Sequence, residues 1–157
     1  MMGFSMGKGF LKEYLSEEQL RLIASKIAEA ERNTDGEIHI SIRHRRNWNE
    51  RRLSLHELTL KEFHRLGMYK TAKHTGVLIL LLFNERKFHI IADKGIHAKV
   101  AAGTWDRIAD TVSTHFRQGN FLQRIFAPVD TVGSELQKHF PRTPGDENEI
   151  SNKVDVS

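Results

Sequence analysis

The sequence predicts a three-layer α/β/α sandwich built on a mixed central sheet that includes a β-hairpin. Three observations carry that expectation. Apolar runs at residues 76–83 and 88–92 flank a polar break, Asn84-Glu85-Arg86, which is the pattern of two strands joined by a short turn. The first run is apolar throughout, as in a strand covered on both faces, and it falls far short of the roughly 20 residues that span a bilayer. The third observation is the order helix, strand, helix, hairpin, helix, helix, which is best satisfied by a sheet with helices on both faces.

The elements follow in order. Residues 1–15 read as a lead-in, residues 16–143 as a single domain, and residues 144–157 as a polar C-terminal tail with no core pattern. Ser16 opens the first helix, with Gln19 three residues on as its capping-box partner. Leu20, Ile23, Ala24, Ile27 and Ala30 give that helix an apolar face, and Asn33-Thr34-Asp35-Gly36 ends it in a turn. From Glu37 to Arg43 the chain alternates: Ile38, Ile40 and Ile42 share one face, and Glu37, His39, Ser41 and Arg43 share the other. That is the signature of a strand with one face in the core.

Residues 44–52 are polar, basic and contain Trp48, and they read as a loop. A helix then starts near Ser54 and runs to Leu66, using Leu55, Leu58, Phe63 and Leu66 as core contacts and Gly67 as its stop. Its length suits a crossover that sets the first strand beside residues 77–83. Thr104 is placed to cap the next helix, whose Trp105, Ile108, Ala109, Val112 and Phe116 recur at amphipathic spacing. Gly119 ends it, and Asn120 caps a last helix bearing Leu122, Ile125, Phe126, Val129, Val132, Leu136 and Phe140. Pro128 lacks a backbone donor, so a kink or a broken start is expected there.

Composition narrows the chemistry. A chain of 157 residues, 39% hydrophobic and 28% charged, has the make-up of one globular domain. It has no cysteine, which excludes disulfides, zinc–thiolate centres and thiol nucleophiles. No segment has signal-peptide or anchor length, and the chain reads as cytoplasmic. A net charge of +4 permits anionic partners without requiring them. Neither an elbow for a nucleophilic serine nor a phosphate-binding loop is present.

The residues that can carry chemistry are acids at element ends. Asp35 and Glu37 flank Gly36 at the start of the first strand, Asp93 ends the hairpin, and Asp106 lies in the first turn of the following helix. Carboxylates converging on a crevice are what calcium or magnesium takes. Asp35 is equally a turn residue, and Asp106 equally favours the positive end of its own helix. The nine histidines show no ligand pair at helical spacing. The arginine-rich stretch 43–52, with Trp48, can grip phosphate or stack a base, but no nucleic-acid-binding motif accompanies it.

Read in series, several segments resemble the TPM domain family, and above all its small stand-alone bacterial branch. They are Glu29-Ala30-Glu31 leading to Asp35-Gly36-Glu37-Ile38; Leu66-Gly67-Met68 with Lys70-Thr71; Gly76-Val77-Leu78-Ile79; Arg86-Lys87-Phe88 through Ile90-Ile91-Ala92-Asp93-Lys94-Gly95-Ile96; Trp105-Asp106; Phe116 to Gly119; Gly133 with Leu136; Phe140-Pro141; and Asp146 with Asn148-Glu149-Ile150. The resemblance implies an α/β/α sandwich, calcium binding in an acidic crevice at one end of the sheet, and in some plant members a weak acid phosphatase activity. Carried over, it makes Glu37 and Asp93 the leading cation ligands, with Asp35 and Asp106 next, and it draws in Asp146 and Glu149. Asp35, His74-Thr75 and His97 depart from the usual residues of the family, and the membrane anchor of its longer members is absent.

Three expectations result. The first is a domain that binds a divalent cation, calcium or else magnesium, and acts as a binding or regulatory module with a protein partner not yet identified. The second is a weak metal-dependent phosphatase, with Arg43 or Lys94 neutralising the phosphate. The third is an anion or nucleic-acid binder acting through residues 43–52, which ranks below the others.

Overall fold

The computed structural model describes residues 15–114, 121–145 and 154–157. Helix α1 spans Glu17–Glu31 and strand β1 spans Glu37–Arg43. Helix α2 (Leu55–Arg65), strand β2 (Gly76–Leu82) and strand β3 (Lys87–Ala92) follow. After these come the short α3 (Lys94–His97), α4 (Thr104–Thr114), α5 (Phe121–His139) and a terminal strand, β4 (Val154–Val156). Single 3-10 turns lie at Trp48–Glu50, Met68–Lys70 and Phe83–Glu85.

The sheet order is β3-β2-β1-β4. β1 runs parallel to both β2 and β4, and β2 and β3 form the antiparallel hairpin. The sandwich, its mixed sheet and the β1–β2 pairing are as the sequence implies. The pairing is parallel because α2 carries the chain back across the sheet between the two strands.

Both faces of the sheet are covered, and they differ in kind. On one face Ile38, Ile40, Ile42, Val77, Ile79, Leu81, Phe88, Ile90 and Ala92 pack against α1, α4 and α5 in the main core. The helical contributions are the stripes read from the sequence, such as Leu20, Ile23 and Ile27 of α1 and Trp105, Ala109 and Val112 of α4. On the other face Leu78, Leu80, Leu82 and Ile91 pack against α2 and the Met68 turn. There β1 contributes Glu37, His39, Ser41 and Arg43, all buried.

That second face is held by charge. Arg43, 4% exposed, donates through Nη1 to Glu50 at 3.0 Å and to Glu62 at 2.9 Å. Lys61 reaches Glu50 at 2.8 Å. Arg65 joins Glu62 (2.7 Å through Nε) to Asp155 of β4 (2.6 Å). The Arg43 guanidinium, with Lys61 and the Asn47 N–H, holds the Glu50 carboxyl at a pKa of about 2 against the desolvation that burial imposes. Loop and sheet edge are thus locked through buried ion pairs, which are costly to break on one side only.

Capping follows the sequence closely. Ser16 and Gln19 exchange hydrogen bonds at 2.9 and 3.1 Å, and Ser54 and Glu57 do the same at 3.0 Å. Gly67 leaves α2 at φ +70, a conformation glycine adopts without a Cβ clash.

Four expectations are corrected. Thr104 lies inside α4 rather than capping it. α5 runs unbroken through Pro128; the packing of Val129, Val132 and Leu136 in the core outweighs one lost backbone bond. A short helix, α3, follows directly on β3. The last residues, read as lacking any core pattern, include a buried strand on the β1 edge. The expectations for Gly119, Asn120, Asp146 and Glu149 fall outside the described residues.

Candidate functional site

The acids gather at the end of the sheet where β1 and β2 begin and β3 ends. Glu37 is the first residue of β1 and pairs with Gly76, the first residue of β2. The Asp93 N–H donates to the Gly76 carbonyl at 2.9 Å, which extends the β2–β3 ladder one residue beyond Val77 and Ala92. Glu37, Gly76 and Asp93 therefore form one row across three strands. Glu37 and Asp93 are about 10 Å apart at their Cα atoms, two strand spacings, and the residue between them has no side chain.

Asp93 ends its strand because its carboxylate caps α3, accepting the Lys94 N–H at 2.8 Å. Its other oxygen lies 3.2 Å from His74 Nδ1. His74 takes a positive φ of 54° in the turn before β2. Gly95 fits against that turn so closely that a Cβ on it would lie 2.3 Å from the Lys73 carbonyl oxygen and 2.5 Å from that of His74. No other residue type fits there without moving the backbone.

Asp35 lies two residues before Glu37 and lines an open cavity of about 360 Å³ with Lys73, Thr75, Gly95, Lys99, His139, Phe140, Pro141 and Thr143. Its carboxylate accepts the Thr143 N–H at 2.7 Å, the Thr143 hydroxyl, and Lys73 Nζ at 3.0 Å. Burial alone would push the Asp35 pKa up, but the bonds from Thr143 and Lys73 outweigh it and hold the carboxyl below its ordinary range. Lys99 Nζ sits 5.0 Å from the centre of the Phe140 ring, a cation–π contact, and His139 Nε2 lies 3.8 Å from Glu135.

The structure thus brings Glu37, Asp93 and Asp35 to one end of the sheet, on two adjoining ledges. Asp106 stands elsewhere, in the first turn of α4, where its charge acts on His89. His89 is four residues before Asp93 on β3, which is about 13 Å along the strand. Among the described residues no three His, Asp or Glu side chains form a group able to hold a metal ion.

Arg43, read from the sequence as a phosphate contact, faces inward and is bound to Glu50 and Glu62. Arg46 is likewise taken, at 2.6 Å from Glu85. The loop leaves Arg45, Arg51 and Arg52 exposed around Trp48, which is 80% exposed. Sequence reasoning missed Lys73, Lys99, His139 and Thr143. They come from the β2 approach, the α3–α4 connection and the end of α5, and no spacing links them.

A mixed sheet between helical layers, with carboxylates at one end beside an open cavity, defines a small α/β/α sandwich. The match to the TPM domain model covers residues 11–135, and the chain belongs to that family. It is similar to the BA42 protein of the psychrophilic bacterium Bizionia argentinensis, with 30% identity, a TM-score of 0.80, and coverage of 94% of this chain and 98% of that one. It shares its fold with the N-terminal domain of a P. gingivalis protein (21% identity, TM-score 0.64, 82% of each chain). The same holds for the N-terminal domain of cg2496 from Corynebacterium glutamicum (13% identity, TM-score 0.57, covering 85% and 77%). No curated protein matches the chain. Among the described residues no helix is long and apolar enough to cross a membrane.

Proposed function

We propose that this chain is a divalent-cation-binding module, with calcium as the preferred ion and magnesium as the competitor, and that Glu37 and Asp93 hold the ion. The observation that carries this reading is the row Glu37–Gly76–Asp93. It sets two carboxylates on either side of a position with no side chain. Oxygen-only donors match a hard cation. Asp35 is a reserve ligand, since Lys73 and Thr143 occupy its oxygens, and it joins the ion only if Lys73 leaves.

Calorimetric titration of the metal-free protein tests this. Saturable calcium binding that raises the melting temperature is expected, because an ion that binds only the folded state stabilises it. Asp93→Asn and Glu37→Gln should each weaken binding about tenfold or more, a loss of roughly 1.4 kcal/mol. No saturable binding of either ion at millimolar concentration would overturn the reading.

A second reading, weak metal-dependent phosphatase activity, draws on the adjoining cavity. Lys99 and His139 line it and offer donors for phosphate oxygens. A bound divalent cation would supply Lewis acidity and a water of lowered pKa. Metal-dependent turnover of p-nitrophenyl phosphate that disappears in Asp93→Ala is expected; equal turnover in both proteins would sink it.

A further inference from the structure

His56 and His89 lie 33 positions apart in sequence and meet where α2 crosses the outer strand of the hairpin. His56 Nδ1 and His89 Nε2 are 3.0 Å apart, and the two rings stand edge to face at 88°. At that distance one ring nitrogen donates and the other accepts, so a single proton lies between two lone pairs. A metal ion uses the same in-plane lone pairs. Two zinc–nitrogen bonds of about 2.0–2.1 Å in a tetrahedral site set their nitrogens roughly 3.4 Å apart. The pair therefore needs to open by less than about 0.5 Å to seat an ion where the proton now lies.

The surroundings favour exchange with solvent and supply charge. His56 is exposed and His89 is half-buried on β3, so one ligand is fixed by the sheet and the other is reachable. α4 packs along β3, and the Phe88 N–H donates to Ser113 of that helix at 3.1 Å. One and two turns earlier on α4, the exposed Asp110 and Asp106 exert their charge on His89. The described residues hold no preformed group of three ligands, so an ion seated on the pair would fill its remaining positions with water and with whichever of these carboxylates turns toward it.

We propose that His56 and His89 form a site for a borderline transition-metal cation, zinc in the first place, with Asp110 or Asp106 and water completing its shell. Imidazole selects zinc, nickel or copper over calcium and magnesium, so this site is chemically separate from the carboxylate row and stands independently of it.

The test is calorimetry with zinc on the metal-free full chain, alongside cobalt(II) absorption as a report on nitrogen ligation. The expected result is saturable one-to-one binding that His89→Gln and His56→Ala each weaken by about tenfold or more. Asp93→Asn should bind zinc as the parent does, and millimolar calcium should not displace the zinc. Circular dichroism of His56→Ala, an exposed position, separates lost ligation from lost folding. Unchanged zinc affinity in both histidine variants would overturn the proposal by moving the ion to other histidines. Absence of saturable binding would overturn it by leaving a pair that only exchanges a hydrogen bond.

Discussion

Both faces of the sheet are covered, and they are stabilised in different ways. The face under α1, α4 and α5 is apolar on every strand. The face under α2 is apolar on β2, yet on β1 it carries a histidine, a serine, an arginine and a glutamate. The first face loses stability gradually, through cavities. The second depends on complete pairing, because a buried charge stripped of its partner costs far more than the pair contributes. On the second face β1 carries Glu37 at the end where the cleft begins and Arg43 at the opposite end.

The sharpest challenge to this contrast is Arg43→Ala. It takes the buried cation from between Glu50 and Glu62, leaving them only the partly exposed Lys61 and Arg65, and should cost about 3 kcal/mol, read by thermal or denaturant unfolding. Ile40→Val on the apolar face should cost only about 0.5–1.5 kcal/mol. Converting Arg43, Glu50 and Glu62 together to apolar residues of similar size should recover most of the loss. A triple variant no better than Arg43→Ala would show that shape, not charge, governs that face.

Acid should separate the faces next. Glu50 has a folded pKa of about 2 against an ordinary value of 4.5. Its contribution is therefore full above about pH 4.5 and fades as pH falls toward 2. A shift of that size is worth roughly 3 kcal/mol. Unfolding free energies measured across that window should fall for the parent and fall less for Glu50→Gln, which begins from a lower value. Parallel slopes would remove Glu50 from the account.

The smallest effect concerns β4. Arg65 is half-exposed and bridges to Asp155, so Arg65→Ala should cost about 1 kcal/mol or less globally. It should be visible mainly as faster amide exchange where β4 is pinned, such as the Ser157 N–H bound to the Ile42 carbonyl. Unchanged protection across the sheet would mean that the backbone ladder to β1 and the packing of Val154 and Val156 hold β4 without the Arg65–Asp155 pair.

Much of the fold was legible because periodicity records burial. Ile38, Ile40 and Ile42 marked the inner face of β1, and the unbroken run from Val77 to Leu82 marked a central strand. β4 was hidden because a three-residue strand is too short to show a period. The ion pairs were hidden because Arg43, Glu50 and Glu62 are joined only by the fold, and charged residues in sequence read as surface. At the site, Glu37 and Asp93 could be named from their places at strand ends. Their shared row needed the register, and the cavity residues and the His56–His89 pair needed the packing of separate elements.

Gly95 sets main chain against main chain, where the α3 backbone lies directly on the carbonyls of Lys73 and His74. The width of the cleft is therefore a property of the mould and not of its lining. Lys73, Lys99, His139 and Thr143 can be exchanged for other donors while the opening keeps its dimensions. The scaffold would then tolerate replacement of those side chains, provided that Gly95 is left in place.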